Sequence, residues 1–487
     1  MNTIIQENFR KNSKINTTYQ TFFHQFHIAS LFSKSHIKKQ KGVPVSKVFQ
    51  FLFLLPFHHH TGHRTLTLHK NVIEFRKDVM YRFLANPSFQ WTSFLLNLSV
   101  CMIKKFFNPL TNKDRKEVFI LDDSVIHREK SKKAEHLSWI FDHVKNKCVR
   151  GYALLTLLWS DGNSKIPLTF ALHSNKKQLI QDRSISNNKV LNHKSHDSRI
   201  REESLMDKNS ASINLIHRAL KSGLNPSFIL YDSWFGFPRF YLHLLKLFNV
   251  HSICRIKKML RVYYEYNGKF LNLKKLYSVM KSEKRNNKNT DKRNKSGKNQ
   301  SSELSEEILG SIVVKASFDK TKEGLVKIVF IRNRNKKQEW IAFLSTDTSL
   351  TDEEIVQTYA KRWGIETFFK VMKELLQAED EFQLINFTSM YAHLTVTMTR
   401  YCLLSWLDRC AKDDRSKGDL FYQMCEELKD IGIREALFLC FEYIMECISS
   451  FMLKKNADVV TKHIFSMFTN LIPLWIEDSK RVSMCEV

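Results

Sequence analysis

The chain has 487 residues, enough for a large core and roughly two to four domains. Its 77 Lys and Arg against 49 acids give a formal net charge of +28. Such an excess repels itself unless an anionic partner is usually bound, which favours nucleic acid first and an anionic membrane surface second, and speaks against neutral-sugar substrates.

Nine cysteines are scattered with no CxxC pair, so neither a zinc ribbon nor a disulfide framework is expected, and a reducing cytoplasm is. The polar start MNTIIQENFRKNSK has no signal-peptide core, and the longest apolar run, Val48 to Phe57, is too short to span a bilayer. No membrane partner is expected.

Residues 1–112 read as helical, with apolar positions recurring through Phe22, Phe26, Leu31, Phe49, Leu52, Phe53, Phe83, Phe94 and Leu98, and with Lys and Arg interleaved. His58, His59, His60 and His63 follow Pro56 with no Cys or acid suitably spaced, so a loop is expected there and not a metal site. The period then shortens. EVFILDDS (117–124) reads as a buried strand ending in acids, and GYALLTLLWSDG (151–162) and KIPLTFALH (165–173) as two strands joined at Asp161-Gly162. An amphipathic helix is expected over 203–221, a strand over 227–236 (SFILYDSWFG), a helix from Arg239 to Leu247 and a strand over 250–256. Three meandering strands followed by strand–helix–strand predict an α/β fold: a mixed sheet with flanking helices.

Residues 257–337 read as an insertion of short strands (261–266, 312–316, 326–331) around the basic tract 281–300, which has no apolar residue with which to pack. EWIAFLSTD (339–347) returns to the main sheet. Thr351 with three acids behind it is a good helix start, and residues 387–487 read as helical without chemistry of their own. The expected divisions are therefore 1–112, 113–256, 257–337, 338–400 and 401–487.

The most informative segment is YAKRWGIETFFKVMKELLQ. Helical spacing brings Tyr359, Arg362, Glu366 and Lys373 close to one stripe: a phenol, a guanidinium, a carboxylate and an ammonium. A carboxylate flanked by cations offers an oxygen ligand for Mg²⁺ and donors for phosphate oxygens. Asp122 and Asp123 end the first apolar strand and Asp232 the fourth, where desolvation penalises a charge unless a cation compensates. Such acids converging with Glu366 could hold two Mg²⁺ ions about 3.5–4 Å apart, which would activate a water or a 3′-hydroxyl for in-line displacement at phosphorus.

The order D…D…Y-x2-R-x3-E-x6-K closely resembles the DDE transposases of bacterial insertion sequences, and within them the IS-four branch named for its Y-R-E-K signature. LDDSVI, FDHVKNKCVRGYALL, ILYDSWF, FLSTD and YAKRWGIETFFK resemble that branch's blocks in its order, over roughly 115–400. The resemblance implies an RNase H-like catalytic fold with a strand-rich insertion before the last acid. It implies Mg²⁺-dependent cleavage at element ends, with Mn²⁺ as a substitute, and 3′-hydroxyl strand transfer into target DNA. It further implies double-stranded DNA held by a homodimer, in a bacterial cytoplasm at the nucleoid. Carried over, Asp123, which precedes the hydroxyl residue Ser124, is the first metal-binding catalytic acid, Asp232 the second and Glu366 the third. Tyr359, Arg362 and Lys373 are similar to the phosphate contacts, and Trp363 and Trp340 to aromatic platforms for a flipped base. The alternatives are a non-catalytic DNA-binding protein derived from such a transposase, and a nuclease without strand transfer. The N-terminal region is expected to bind DNA on charge and helicity alone.

Overall fold

A computed structural model describes residues 17–430 except 59–61, 69–74, 113, 177–178, 180–194, 292–306, 320–321, 334–335, 337–338, 381–383 and 412–413, and also residue 444. His59 and His60, the basic tract from 292 onward and nearly all of the helical region expected past 430 lie outside the described residues.

Six helices open the described chain: α1 (Thr18–Gln25), α2 (Ile28–Lys34), α3 (Val45–Leu54), α4 (Gly62–Leu68), α5 (Lys77–Leu84) and α6 (Trp91–Met102). Thr17 and Gln20 close a reciprocal capping box that starts α1. The apolar stripes meet in an aromatic cluster: Phe32 stacks on Phe94 with centroids 5.0 Å apart, and Phe49 meets both edge-on. A long, almost wholly buried helix far along the chain, α13 (Phe387–Cys410), joins this cluster through Trp406, which lies against Phe22 and Phe26. Arg400 of α13 is fully buried and donates to the carbonyls of Phe53 and Leu376 at 3.1 Å each. It thereby satisfies carbonyls at the end of α3 and just past the helix that carries Glu366.

One eleven-stranded mixed sheet forms the centre: β1 (Val118–His127), β2 (Ser138–Asp142), β3 (Lys147–Ser160), β4 (Lys165–His173), β5 (Phe228–Tyr231), β6 (His251–Ile256), β7 (Tyr263–Tyr266), β8 (Lys269–Asn272), β9 (Ile308–Asp319), β10 (Lys322–Arg332) and β11 (Trp340–Ser345). Its order is β2-β3-β1-β5-β6-β11-β10-β9-β7-β8, with β4 also on β3. β1, β5 and β6 run parallel, and the other pairings are antiparallel. The flanking helices are α7 (His196–Ser204), α8 (Lys208–Lys221), α9 (Pro238–Phe248), α10 (Leu273–Asp291), α11 (Asp352–Ala360) and α12 (Gly364–Glu374). The architecture is therefore the expected α/β fold, a large mixed sheet with flanking helices.

Several local expectations need correction. β1 does not end at its acids: β3 keeps pairing it out to His127↔Gly151, so Asp122 and Asp123 sit mid-strand. The strand over 227–236 shrinks to four residues, because the chain turns at Asp232 into α9. The helix over 203–221 is two helices, split where the Asp207 side chain accepts from the Asn209 and Ser210 amides and starts α8 afresh. The Y-R-E-K stripe spans α11, a 3₁₀ turn at Lys361–Trp363 and α12. β2 and β8 were not expected, and α10 runs into the basic tract as far as Asp291, consistent with the good helix propensity of Lys, Glu and Arg.

Candidate active site

The parallel register of β1 and β5 sets the first two acids. Its last pair is Leu121↔Tyr231, so Asp122 and Asp232 are the next residues along two adjacent strands. Asp123 follows Asp122 on β1 and borders the same cavity as Asp122 and Asp232. The charge on Asp232 acts directly on Asp122. Asp232 opens a tight turn in which its Oδ1 accepts from the Trp234 amide at 2.8 Å. The turn passes so close to β6 that a Cβ on Gly236 would lie 2.3 Å from the Arg255 carbonyl oxygen, which only glycine avoids.

Glu366 comes from α12, which packs on β1 through the buried face of Ile365, Phe368, Phe369 and Met372. The capping box of Thr351 and Glu354 starts the helical run, and Gly364 lets it settle against Lys165. Arg362, on the 3₁₀ turn, donates from Nη1 to Asp122 Oδ2 at 2.7 Å and from Nη2 to Glu366 Oε1. One guanidinium thus bridges the first-strand acid and the helix acid.

Burial pushes the Asp122 carboxyl up to about 7, despite the opposing pull of Arg362; Asp232 adds to the rise. Burial alone would lower the Arg362 guanidinium, but Tyr359, Asp122 and Glu366 around it outweigh that and hold it above its usual value. Tyr359 packs its ring 4.4 Å from that of Phe343, and burial raises its phenol.

The Oδ2 of Asp123 lies 2.9 Å from Lys208 Nζ. That ammonium also sits 4.8 Å from the centre of the Trp234 ring. A cavity of about 540 Å³ is lined by Asp122, Asp123, Asp232, Lys208, Trp234 and Lys373. Lys373 donates to the Val125 carbonyl at 2.6 Å and lies 3.6 Å from Glu379. His127, the last residue of β1, spans Asp142 at 2.8 Å and Glu379 at 3.0 Å at the rim. Trp363 is 64 % exposed beside Arg362. Trp340 does not line the cavity: it stacks on Tyr277 at 4.7 Å, with Lys258 Nζ 4.1 Å over its ring.

The sequence reading missed Lys208 and Trp234. Lys208 carries no pattern beyond following a helix cap, while Trp234 stood in plain view two residues after Asp232.

Asp122, Asp232 and Glu366 offer hard carboxylate oxygens, the donors a small divalent cation takes. The raised Asp122 carboxyl marks a place where Arg362 alone supplies too little positive charge, which fits such a cation. Among the described residues, however, no three His, Cys, Asp or Glu side chains stand close enough to hold one together. In this structure Arg362 occupies Asp122 and Glu366.

Residues 64–275 match the family model for DDE superfamily endonucleases, and residues 195–403 match the model for the transposase DDE domain. The first match contains Asp122 and Asp232, the second Asp232 and Glu366. No curated protein matches the chain. No helix among the described residues is long and apolar enough to cross a membrane. Two overlapping family matches, laid over one α/β sheet with the acids at its centre, support a DDE transposase.

Proposed function

We propose that the chain is a transposase of the IS-four branch, which cleaves DNA at the ends of an insertion element and joins the freed 3′-hydroxyl to target DNA. The observation that carries this reading is the β1–β5 register, which sets Asp122 beside Asp232, together with Arg362 linking Asp122 to Glu366. We take Asp122, and not Asp123, as the first acid. Asp122 follows the residue registered with Tyr231, next to Asp232, and is joined to Glu366 through Arg362, whereas Asp123 is engaged by Lys208.

Asp122, Asp232 and Glu366 would hold divalent cations, Mg²⁺ or Mn²⁺. When bound, these polarise the phosphodiester and supply a nucleophilic oxygen at neutral pH. Arg362 serves two states: it neutralises Asp122 and Glu366 in the resting site and turns to a phosphate oxygen when DNA arrives, where its planar fork suits two oxygens at once. Lys373 and Lys208 add positive charge at the cavity wall. Tyr359 props Arg362 from its packed position against Phe343. Trp363 is the exposed ring available to a base, and Trp340 serves the packing of the insertion. The +28 charge suits long double-stranded DNA, and two chains would hold the two element ends.

A strand-transfer assay on the genomic DNA flanking the gene, with Mg²⁺ or Mn²⁺, tests this reading. Asp122→Ala, Asp232→Ala and Glu366→Ala should each lower cleavage more than about a hundredfold, since metal assistance is worth several kcal/mol. Asp123→Ala should stay within about tenfold of wild type. Duplex binding with no cleavage in either metal would instead identify a non-catalytic descendant.

A further inference from the structure

One carboxylate gathers the end of β1 and the end of α12. Past α12, Gln377 takes φ +54° and the Ala378 amide donates to the Met372 carbonyl at 3.1 Å, a left-handed cap that turns the chain. Glu379, two residues on, then meets the last residue of β1. Its Oε1 accepts from the His127 amide at 3.1 Å and lies 3.0 Å from His127 Nδ1 and 3.6 Å from Lys373 Nζ. Its backbone carbonyl accepts from Arg128 Nη1. Asp142 holds the His127 ring from the other side, with Oδ2 2.8 Å from Nε2 and Oδ1 accepting from the Val144 amide in the turn after β2.

Within this cluster Lys373 borders the cavity of Asp122 and Asp232, and Glu379 does not. An ammonium has three N–H donors. The Val125 carbonyl takes one at 2.6 Å, whereas Glu379, at 3.6 Å, attracts the charge without a hydrogen bond of ordinary length. Donors therefore remain for an anion in the cavity. A lysine side chain is flexible, and ordering it on a phosphate costs rotamer freedom unless the chain is restricted beforehand. Val125 and Glu379 restrict Lys373 from two sides, and His127 fixes Glu379 through both its amide and its ring.

We propose that Glu379, held by His127, is a positioning residue: it sets the Lys373 ammonium at the cavity wall, ready for a DNA phosphate, without touching DNA itself. The assignment rests on the DNA-cleaving function proposed above, which brings a phosphate within reach of Lys373. Glu379 acts by the length and placement of its side chain, so its effect on DNA disappears when Lys373 is absent.

A double-mutant cycle tests it, read by fluorescence anisotropy on the full chain with chelator present and a short duplex from the DNA flanking the gene as probe. Lys373→Met should weaken binding about tenfold. The slope of log affinity against log salt should fall by about 0.9, the share of one phosphate. Glu379→Asp keeps the charge but is one methylene shorter; it should weaken binding about fivefold and lower the slope likewise. Glu379→Gln keeps the length and an acceptor for the His127 amide, and should stay within about twofold of wild type. In the Lys373→Met background, Glu379→Asp should change affinity less than about twofold. His127→Gln, which loosens Glu379 from β1, should follow the same pattern and serves if Glu379→Asp fails to fold. An equal loss from Glu379→Asp in both backgrounds shows a merely structural role and overturns the proposal. So does wild-type affinity in Glu379→Asp, or in Lys373→Met. Binding in chelator requires no cleavage, so the two ideas fail separately. Coupling in a chain that cleaves nothing supports the positioning role and overturns only the catalytic reading, whereas a cleaving chain without coupling overturns only the positioning role.

Discussion

Arg362 holds two carboxylates that would repel each other and any incoming phosphate. The guanidinium contacts Asp122 and Glu366 at once, yet Asp122 still sits at about 7 because burial outweighs that contact. The folded value lies above the ordinary value of 3.8. A neutral Asp122 therefore favours the fold below pH 4, and that contribution is lost as pH rises through 7. In chelator, Asp122→Asn should match wild type in Tm near pH 4 and exceed it increasingly toward pH 8; a constant offset across that range would contradict this. At this scale the sequence was informative about residue types and silent about direction. Asp122 and Asp123 are adjacent acids on one strand, and only the tertiary partners tell them apart, Arg362 for the first and Lys208 for the second.

Among the elements, those with strong local signals were legible. β4 has the expected bounds, because Asp161 accepts amide bonds from Asn163 and Ser164 and Gly162 takes φ +100°, which fixes the hairpin. The helix start at Thr351 was equally plain, and it begins the helical run that leads on to Arg362 and Glu366. Thr351→Ala should cost about 1 kcal/mol of stability in a denaturant titration, with Mn²⁺-dependent cleavage reduced no more than the folded fraction. A much larger loss of cleavage at full folding would show that the cap also positions the acids. The 3₁₀ turn at Lys361–Trp363 was hidden, since the apolar rhythm continues through it. The extension of β1 was hidden too, because acids in mid-strand look like a strand end unless the partner is known.

Across the whole molecule, the sheet joins segments that periodicity cannot relate. The insertion strands β7 to β10 continue the central sheet through β11, so the region between Asp232 and Glu366 extends the same layer. Helices from both ends of the chain share the aromatic cluster under α13, and Arg400 links that cluster to the end of α12. Three histidines elsewhere in the fold, His136, His173 and His196, are held neutral by burial, each with a pKa lowered to about 4 from 6.5. An unfolded chain takes up those protons below pH 6.5 while the fold does not, so stability present above 6.5 is lost as pH falls toward 4. Thermal melts should show Tm dropping over that window, and His196→Asn should flatten the slope. A Tm rising on acidification, beyond the opposite-signed contribution of Asp122 measured in Asp122→Asn, would contradict these assignments.

Asp122, Asp232 and Glu366 should gather around divalent cations once Arg362 exchanges them for a DNA phosphate. Anomalous scattering from Mn²⁺ in a crystal of the chain with element-end DNA reads this directly. Manganese should be bound by oxygens of all three residues, with Arg362 on a phosphate. Manganese held by Asp123 without Asp122, or Arg362 still bridging Asp122 and Glu366 in the DNA complex, would contradict it.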